Sequence, residues 1–230
     1  MTFTPEVYEV IREGAIRSAD AIVPHVYARI ECDSVVDVGG GEGWWALRFS
    51  DSGCARALVL DESIPELGWE RVVETPIDAT EGARAWTSRV AWGRRAALPH
   101  DLEKLEREYS LALCLEVAEH LPAEAAPELV RGLVKAAPVV LFSAAVPGQG
   151  GHGHVNEQWP GYWADLFAEH GYACSSDLRW AFWDDARVEP WYRQNLLLFG
   201  SVERLTAGGF EVSRPPSVVH PVVWEHRRQR

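Results

Sequence analysis

The fold of this chain is decided by residues 35–44, which read Val35-Val36-Asp37-Val38-Gly39-Gly40-Gly41-Glu42-Gly43-Trp44. The apolar start of this segment predicts a short buried strand, and a helix is predicted from Trp44 onward. Glycines between the two permit a tight turn and let backbone N–H groups approach a ligand at the start of the helix. The segment therefore predicts a strand–loop–helix unit that holds a ligand.

Further apolar runs repeat this alternation along the chain. Short strands are predicted at Arg56–Leu60, Leu111–Leu115 and Val139–Ser143, with a helix at Pro122–Ala137. Buried strands that alternate with helices are typical of a parallel, doubly wound sheet. No linker divides the sequence, so we expect one α/β domain over residues 1–230. Its parts are N-terminal helices in 1–31, a core in 32–143 and a substrate or lid region in 144–230.

The two ends of the chain and one internal segment lie outside this regular alternation of strands and helices. Thr4 and Pro5 resemble an N-cap and first helical residue, and helical spacing continues to about Ile30. Segment 62–98 gives a weak pattern, with a helix predicted around Glu81–Val90. Near the C-terminus, a helix is predicted at Pro160–His170. Strands at Tyr172–Phe182 and Asn195–Ser201 would form an antiparallel hairpin at the sheet edge.

Composition limits the possible partners. The 22 Lys and Arg residues against 34 Asp and Glu residues give a net charge of −12, which disfavours nucleic acid and anionic membranes as partners. No apolar run approaches the roughly 18 residues of a membrane span, and the first residues do not resemble a signal peptide. Four separated cysteines lack zinc-site spacing. We expect a soluble cytoplasmic protein that acts on a small molecule; the oligomeric state stays open.

The glycine spacing distinguishes between two kinds of cofactor. A dinucleotide fingerprint requires Gly-x-Gly-x-x-Gly, but position 44 is Trp. The pattern Asp-x-Gly-x-Gly-x-Gly instead resembles motif I of the class I S-adenosylmethionine (SAM) methyltransferases. That resemblance implies a Rossmann-like fold with a seven-stranded, mostly parallel sheet and an antiparallel last strand. It also implies a set of SAM-binding residues: Asp37, Gly39, Gly40, Gly41, Gly43, Asp61, Asp101 and Leu115.

Two aspartates downstream of the glycine loop, Asp61 and Asp101, are predicted to contact different parts of the cofactor. Asp61 ends the next strand, where a carboxylate accepts hydrogen bonds from ribose hydroxyls; the alternative is a turn residue. Asp101 resembles the acid that contacts adenine after the third strand. An N-cap role for Asp101 is the alternative, and Asp78 competes for the adenine contact.

A Glu-x-x-Glu-His block follows the fourth predicted strand. If the chain turns helically after Leu115, Glu116, Glu119 and His120 fall on one face, in the crevice at the carboxyl ends of the strands. Carboxylates and an imidazole together suit a divalent cation. The next crevice loop carries His152 and His154, either of which could complete the site.

The same block resembles two metal-dependent methyltransferase branches. These are the ubiquinone-biosynthesis O-methyltransferases and the small-RNA 3′-terminal 2′-O-methyltransferases. The resemblance implies that Glu116, Glu119, His120 and His154 hold Mg²⁺ or a similar cation, with His120, His154 and Glu116 in catalytic roles. In the alternative, no metal binds and His120 or His154 is a general base.

The C-terminal third is rich in polar and aromatic residues. The block His154-Val-Asn-Glu-Gln-Trp-Pro160 and the segment Glu189–Asn195 resemble a set of bacterial stand-alone class I methyltransferases over about residues 34–224. These stretches could form an aromatic-walled pocket, or their rings could pack a helix onto the sheet. The candidate substrate contacts are Asn156, Glu157, Gln158, Trp159, Trp191, Tyr192 and Arg193. Trp44 and Trp45 are expected to cover the methionine moiety or pack the first helix.

The sequence thus supports a metal-assisted SAM-dependent O-methyltransferase of a small hydroxylated metabolite, with secondary metabolism as the expected setting. Three alternatives stay open: a metal-independent small-molecule methyltransferase, an RNA 2′-O-methyltransferase and a non-catalytic SAM-binding protein.

Overall fold

One mixed sheet organises the residues that the computed structural model describes, which are 5–63, 69–77, 85–105 and 109–228. Its eight strands are β1 (Ser34–Val38), β2 (Arg56–Asp61), β3 (Trp69–Ile77), β4 (Ala85–Arg95), β5 (Leu111–Leu115), β6 (Val139–Ser143), β7 (Ala173–Ser175) and β8 (Leu197–Gly200). Their order across the sheet is β3-β4-β2-β1-β5-β6-β8-β7.

Helices connect these strands and cover both faces of the sheet. They are α1 (Pro5–Tyr27), α2 (Trp44–Ser52), α3 (Ala126–Ala136), α4 (Pro160–Ala168), α5 (Asp177–Ala181), α6 (Pro190–Asn195), α7 (Val202–Ala207) and α8 (Pro221–Arg228). Short 3₁₀ turns occupy His100–Lys104, Ala118–His120 and Ala123–Ala125. No helix in the described ranges is long and apolar enough to cross a membrane.

Strand directions confirm the predicted class. The neighbouring strands β4, β2, β1, β5 and β6 are parallel, and β8 runs antiparallel to β6 and to β7. The sheet is therefore mostly parallel with an antiparallel last strand. The eighth strand, β3, pairs antiparallel with β4 at the opposite edge.

Two local predictions were wrong. Residues 85–90, which we expected in a helix, belong to β4, because its backbone pairs with β3 on one side and with β2 on the other, and pairing with two strands outweighs a weak helical pattern. Residues 81–84 lie outside the described ranges, as does Thr4. The strand predicted near Tyr172–Phe182 is present and pairs antiparallel with β8 at the sheet edge, as expected, but it covers only Ala173–Ser175 and is followed by α5. Leu178 and Phe182 are one helical turn apart and both are buried, so helical spacing explains this segment better.

Both faces of the central strands are buried, as a parallel sheet requires. One apolar cluster joins the sheet to α1 and α2, and the other joins it to α3 and α4. In the second cluster Phe142 of β6 contacts the rings of Trp163, Phe167 and Phe199, with centroids 5.1, 5.6 and 6.0 Å away. This packing holds β6 against α4 and β8. Parallel backbone pairing places β6 next to β5, so the loops that follow these two strands converge at one edge of the sheet.

The Phe142 cluster gives a test of the fold. Phe142 is fully buried, so Phe142→Ala should lower the free energy of unfolding by about 3–5 kcal/mol through lost contacts and a cavity. Urea denaturation followed by circular dichroism measures this change. Val202→Ala, at a position that is 56% exposed, is the control and should change stability by less than about 1 kcal/mol. Equal effects of the two variants would contradict the packing described.

Candidate cofactor and metal site

A cavity of about 570 Å³ opens at the carboxyl ends of β1, β2 and β5. Its walls come from α1, the glycine loop, the loop after β5, the loop after β6, the start of α6 and the last helix, α8. This volume falls within the range of small-molecule sites, and the position is the usual crevice of an open α/β sheet.

The glycine loop requires residues without side chains at several points. Gly39, Gly41 and Gly43 have positive φ angles of 73°, 52° and 79°, which L-residues with a Cβ rarely adopt. At Gly39 a Cβ atom would lie 2.5 Å from a methyl group of Val117 in the loop after β5. Gly39, Gly40 and Gly41 line the cavity, whereas Gly43 forms the turn into α2.

Asp37 lies beneath this loop with 2% of its surface exposed. One of its carboxylate oxygens has no hydrogen-bond partner. Burial and, next, the negative charge of Asp61 raise the pKa of Asp37 to about 7. A buried carboxyl in this state favours a ligand that brings positive charge.

Asp61, at the end of β2, lines the same cavity. Its Oδ2 accepts from the N–H of Gly41 at 3.0 Å, and its Oδ1 accepts from the N–H and hydroxyl of Ser63 at 2.8 and 2.6 Å. The carboxylate is therefore held in a fixed orientation beside the glycine loop.

Asp101, the predicted adenine contact, lies away from the cavity. Asp101 does not line the cavity; it accepts from the N–H of Ala97 at 2.7 Å and from Lys104 at 2.5 Å. Asp101 thus stabilises the short helical turn in which it lies. The competing residue Asp78 lies outside the described ranges. Leu115, in contrast, lines the cavity as the last residue of β5.

Glu116 follows directly and has a left-handed backbone conformation with φ of 55°. Its N–H donates to the backbone oxygen of Ser143 at 3.0 Å. Its carboxylate accepts from the side-chain amides of Asn195 at 3.0 Å and Gln149 at 3.3 Å. Burial nevertheless raises the pKa of Glu116.

Three of the four predicted metal ligands come together. Ligand atoms of Glu119, His120 and His154 all lie within 4.8 Å of one another, and the two imidazole centroids are 4.9 Å apart. Glu116 lies near this group but is not part of it, since its oxygens are engaged by the two amides.

Glu119 is the most unusual member of this Glu/His cluster. It is fully buried, and neither of its carboxylate oxygens has a hydrogen-bond partner. Burial and the nearby charge of Glu116 raise its pKa well above the usual range. A buried carboxylate without a donor is costly unless a cation or a proton neutralises it.

The two histidines are held from the loop after β6. Nδ1 of His154 lies 2.9 Å from Glu157, whose carboxylate also accepts from the N–H groups of Gly148 and Gly150 at 2.6 and 2.8 Å. Burial and the neighbouring His154 lower the pKa of His120 to about 4, so His120 is neutral at pH 7. A neutral imidazole can accept a proton or bind a cation.

The predicted substrate residues divide into two groups. Trp191 and Tyr192, at the start of α6, line the cavity, as do Trp44 and Trp45. The others do not line it: Asn156 is buried and bonds Gln158, Glu157 supports His154, Trp159 is 40% exposed, and Arg193 donates to the backbone oxygen of Trp183.

Several residues in or next to the cavity were not among the predicted site residues. Arg12 of α1 pairs with Glu42 of the glycine loop through two N–O distances of 2.8 Å. Gln149 and Asn195 hold Glu116, and Gln194 Oε1 accepts the N–H of His220 at 2.8 Å, which ties α8 to α6. From α8, Val223 and His226 reach the cavity. The roles of such amides and helix-face residues depend on contacts between elements that are distant in the sequence, so the sequence alone does not reveal them.

The sequence matches no protein-family model and no curated protein. Solved structures are similar in fold. Magnesium protoporphyrin IX methyltransferase from Synechocystis PCC 6803 with bound S-adenosylhomocysteine (SAH) has 16% identity, a TM-score of 0.52, and alignment over 87% of this chain and 89% of that chain. A SAM-dependent methyltransferase from Archaeoglobus fulgidus has 13% identity, a TM-score of 0.53, and 74% and 76% coverage. An O-methyltransferase family protein from Burkholderia thailandensis has 11% identity, a TM-score of 0.51, and 85% and 57% coverage. The chain therefore has the Rossmann-like fold of class I methyltransferases.

Because Asp37 is buried and has a raised pKa, we expect its replacement by a neutral residue to stabilise the protein, and to do so more at high pH than at low pH. The pKa of Asp37 is about 7 in the folded protein and about 3.9 in the unfolded chain. Between these pH values the unfolded chain releases the proton while the folded protein keeps it, so the free energy of unfolding falls as the pH rises. Asp37→Asn should therefore stabilise the ligand-free protein at pH 8 by on the order of 1–3 kcal/mol, and by less at pH 5.

Chemical denaturation at the two pH values measures this difference. Asp184→Asn, at an exposed position outside the cavity, is the control and should show no such trend. A stabilisation by Asp37→Asn that does not grow with pH would contradict the assignment.

Proposed function

We propose that this protein is a SAM-dependent methyltransferase that transfers a methyl group to a hydroxyl of a small molecule, assisted by a divalent cation. The observation that carries the proposal is a shared cavity. The glycine loop with Asp61 and the Glu/His cluster of Glu119, His120 and His154 open onto the same space. A cofactor held by the glycine loop and Asp61 would present its reactive end to the Glu/His cluster.

The cofactor-binding part of the proposal follows from the chemistry of the loop. Asp61 is fixed by the N–H groups of Gly41 and Ser63, and a carboxylate in that place suits two ribose hydroxyls. Asp37 and Glu116, which both line the cavity, suit the positive sulfonium of SAM. The SAM-bound and SAH-bound forms of neighbouring folds are consistent with this choice.

The Glu/His cluster fits a divalent cation. Glu119 offers two buried oxygens without hydrogen-bond partners, and its ligand atom and those of the two imidazoles lie within 4.8 Å of one another. A cation bound there would neutralise Glu119 and lower the pKa of a coordinated substrate hydroxyl. Glu119, His120 and His154 would hold the ion, while Glu116 would remain bound to Asn195 and Gln149.

The protein's own residues would then position the ion's ligands and the substrate. Glu157 fixes the ring of His154 through Nδ1, which leaves Nε2 as the nitrogen available to a ligand. His120 would be occupied as a ligand of the ion, so the proton of the hydroxyl, whose pKa the cation lowers, would be released to water. Methyl transfer also requires that the substrate oxygen be aligned with the methyl carbon of SAM, and the walls of the cavity would hold it in that position.

The cavity also indicates the class of substrate. Aromatic rings of Trp191 and Tyr192 form part of its wall, and acidic residues are frequent elsewhere on it. Such a lining suits a small aromatic or apolar compound with neighbouring oxygens and disfavours polyanions. By analogy with stand-alone methyltransferases of this size, we propose a role in secondary metabolism.

One observation favours a second candidate, a metal-independent methyltransferase. The pKa of His120 is lowered to about 4 by burial and by His154, so His120 could be a general base without a cation. The requirement for a cation therefore separates the two candidates.

The first test concerns the cofactor. Asp61→Asn should weaken SAM binding roughly 10- to 100-fold, because a neutral amide replaces a charged acceptor for the ribose hydroxyls. Isothermal titration calorimetry with SAM and SAH measures the affinity. Asp184→Asn is the control, since it removes an exposed carboxylate outside the cavity. Equal affinities for all three proteins would remove Asp61 from the cofactor site.

The second test concerns the cation. Mn²⁺ should bind the wild-type protein, and His154→Ala should weaken that binding at least about tenfold by removing a ligand. Electron paramagnetic resonance of free Mn²⁺ measures the binding. His170→Ala, at an exposed site outside the cluster, should leave it unchanged.

Activity provides an independent readout for the same test. Methyl transfer from labelled SAM to a panel of catechols and other vicinal diols should stop in excess EDTA and return with Mg²⁺ or Mn²⁺. Full transfer in excess EDTA would reject the cation and favour the general-base candidate.

A further inference from the structure

Cys32 and Cys54 lie side by side at the amino ends of β1 and β2. Each cysteine comes two residues before its strand begins. The two strands are parallel neighbours whose register pairs Ser34 with Arg56, and the same offset of 22 residues places Cys32 opposite Cys54. The cavity opens at the other ends of these strands, and neither cysteine lines it. The two thiols therefore form a sulfur pair outside the site described above.

The distances within this sulfur pair are short. The two Sγ atoms are 2.9 Å apart, and Sγ of Cys54 donates to the backbone oxygen of Cys32 at 2.9 Å. The N–H groups of Ala55 and Arg56 both donate to the oxygen of Asp33, at 2.8 and 3.3 Å, and fix the backbone around the pair. Neighbouring strands are about 4.8 Å apart, which lies within the Cα separations of about 4.4–6.8 Å that a disulfide spans. A small side-chain movement would therefore bring the two sulfurs to bonding distance.

The other two cysteines have no such neighbour. All four cysteines are buried and free, but within the described ranges only Cys32 and Cys54 have sulfur atoms in hydrogen-bond contact. Cys114 lies on β5 and Cys174 on β7, and β6 and β8 separate those strands in the sheet. The chain thus holds one pair that can be joined without moving a strand, and two cysteines that serve as internal controls.

Burial limits what can react with the pair. Cys32 is 5% exposed and Cys54 is 4% exposed, and both belong to the apolar cluster that joins the sheet to α1 and α2. The hydrogen bond with Cys54 and, next, burial raise the pKa of Cys32. Because the thiolate is the reactive form, we expect a slow reaction. A small uncharged oxidant such as hydrogen peroxide suits this environment better than a bulky or charged one.

We propose that Cys32 and Cys54 are a site of reversible oxidation, at which hydrogen peroxide converts the two thiols into a disulfide bond. One thiol is first oxidised to a sulfenic acid, which releases a water molecule. The sulfur of the other thiol then attacks the sulfenic sulfur, the S–O bond breaks and a second water leaves. Two electrons pass from the thiols to the peroxide, and no other reactant is required. This inference does not rest on the proposed function.

The bond would close segment 32–54, which contains β1, the glycine loop and α2. A cross-link of this kind restricts the unfolded chain, so the oxidised protein should be more stable than the reduced protein. Because the cross-link lies at the amino ends of the strands, the groups at the carboxyl ends would keep their positions. In a reducing compartment such a bond is transient.

Peptide mapping tests whether the bond forms. The folded protein is treated with hydrogen peroxide, unfolded in iodoacetamide to block the remaining thiols, and digested with trypsin. Cleavage after Arg48 separates the two cysteines into peptides 30–48 and 49–56. Mass spectrometry should find these peptides linked, and separate after treatment with dithiothreitol. The peptides that contain Cys114 and Cys174 should carry the blocking group.

Thermal unfolding tests the effect of the bond on stability. Peroxide treatment should raise the Tm of the wild-type protein by roughly 5–10 °C. Cys54→Ala should show no rise, because the partner thiol is missing. Cys174→Ala is the matched control, since it removes an equally buried cysteine outside the pair, and it should show the same rise as the wild-type protein.

Two results would overturn the inference. One is that the treated protein stays folded by circular dichroism, yet peptides 30–48 and 49–56 are never linked. The other is that linkage appears equally among all four cysteines, because a preformed pair requires selective reaction. A linked pair without a rise in Tm would reject the stabilising effect. None of these measurements uses SAM, so a failure of the proposed function would leave them unchanged.

Discussion

The site depends on one close approach, between Gly39 and Val117. Because Gly39 has no side chain, Val117 occupies the space where a Cβ atom would stand. That contact joins the loop after β1, which carries the glycines, to the loop after β5, which carries Glu116, Glu119 and His120. Backbone bonds from Gly39 to Leu60 and from Glu116 to Ser143 attach the same two loops to β2 and β6. The spacing of these two cavity walls is thus set by the contact of the Val117 side chain with Gly39 and by these backbone hydrogen bonds.

The sequence was most informative where chemistry and local geometry coincide. The glycine loop, Asp61 and the Glu-x-x-Glu-His block lie within single strand–loop units, so their spacing alone predicted which groups would face one crevice. The distal His154 was also anticipated, because loops after parallel strands share one edge of the sheet. Asp101 shows the limit of this reasoning: the residue sits after a strand, yet Lys104 and the N–H of Ala97 engage it away from the cavity.

What the sequence did not predict arises from long-range packing. Glu116 bonds Asn195, a residue of α6, and this pairing withdraws it from the Glu/His cluster. Arg12 reaches the glycine loop from α1, although nothing in the local pattern of α1 marks it. Segment 62–98 was predicted to hold a helix, but β3 and β4 pair along it, since cross-strand contacts outweigh weak local propensity.

The cavity takes part of its wall from α1, near residue 12, and another part from α8, near residue 226. The hydrogen bond that the N–H of His220 donates to the side-chain oxygen of Gln194 holds α8 against α6. The α1 and α8 segments are about 210 residues apart in the sequence, yet they form parts of one cavity. A ligand that contacts both walls would therefore stabilise the packing of α1 and the packing of α8 at the same time. Loosening either helix would weaken the binding of that ligand, even though neither helix belongs to the glycine loop or to the Glu/His cluster.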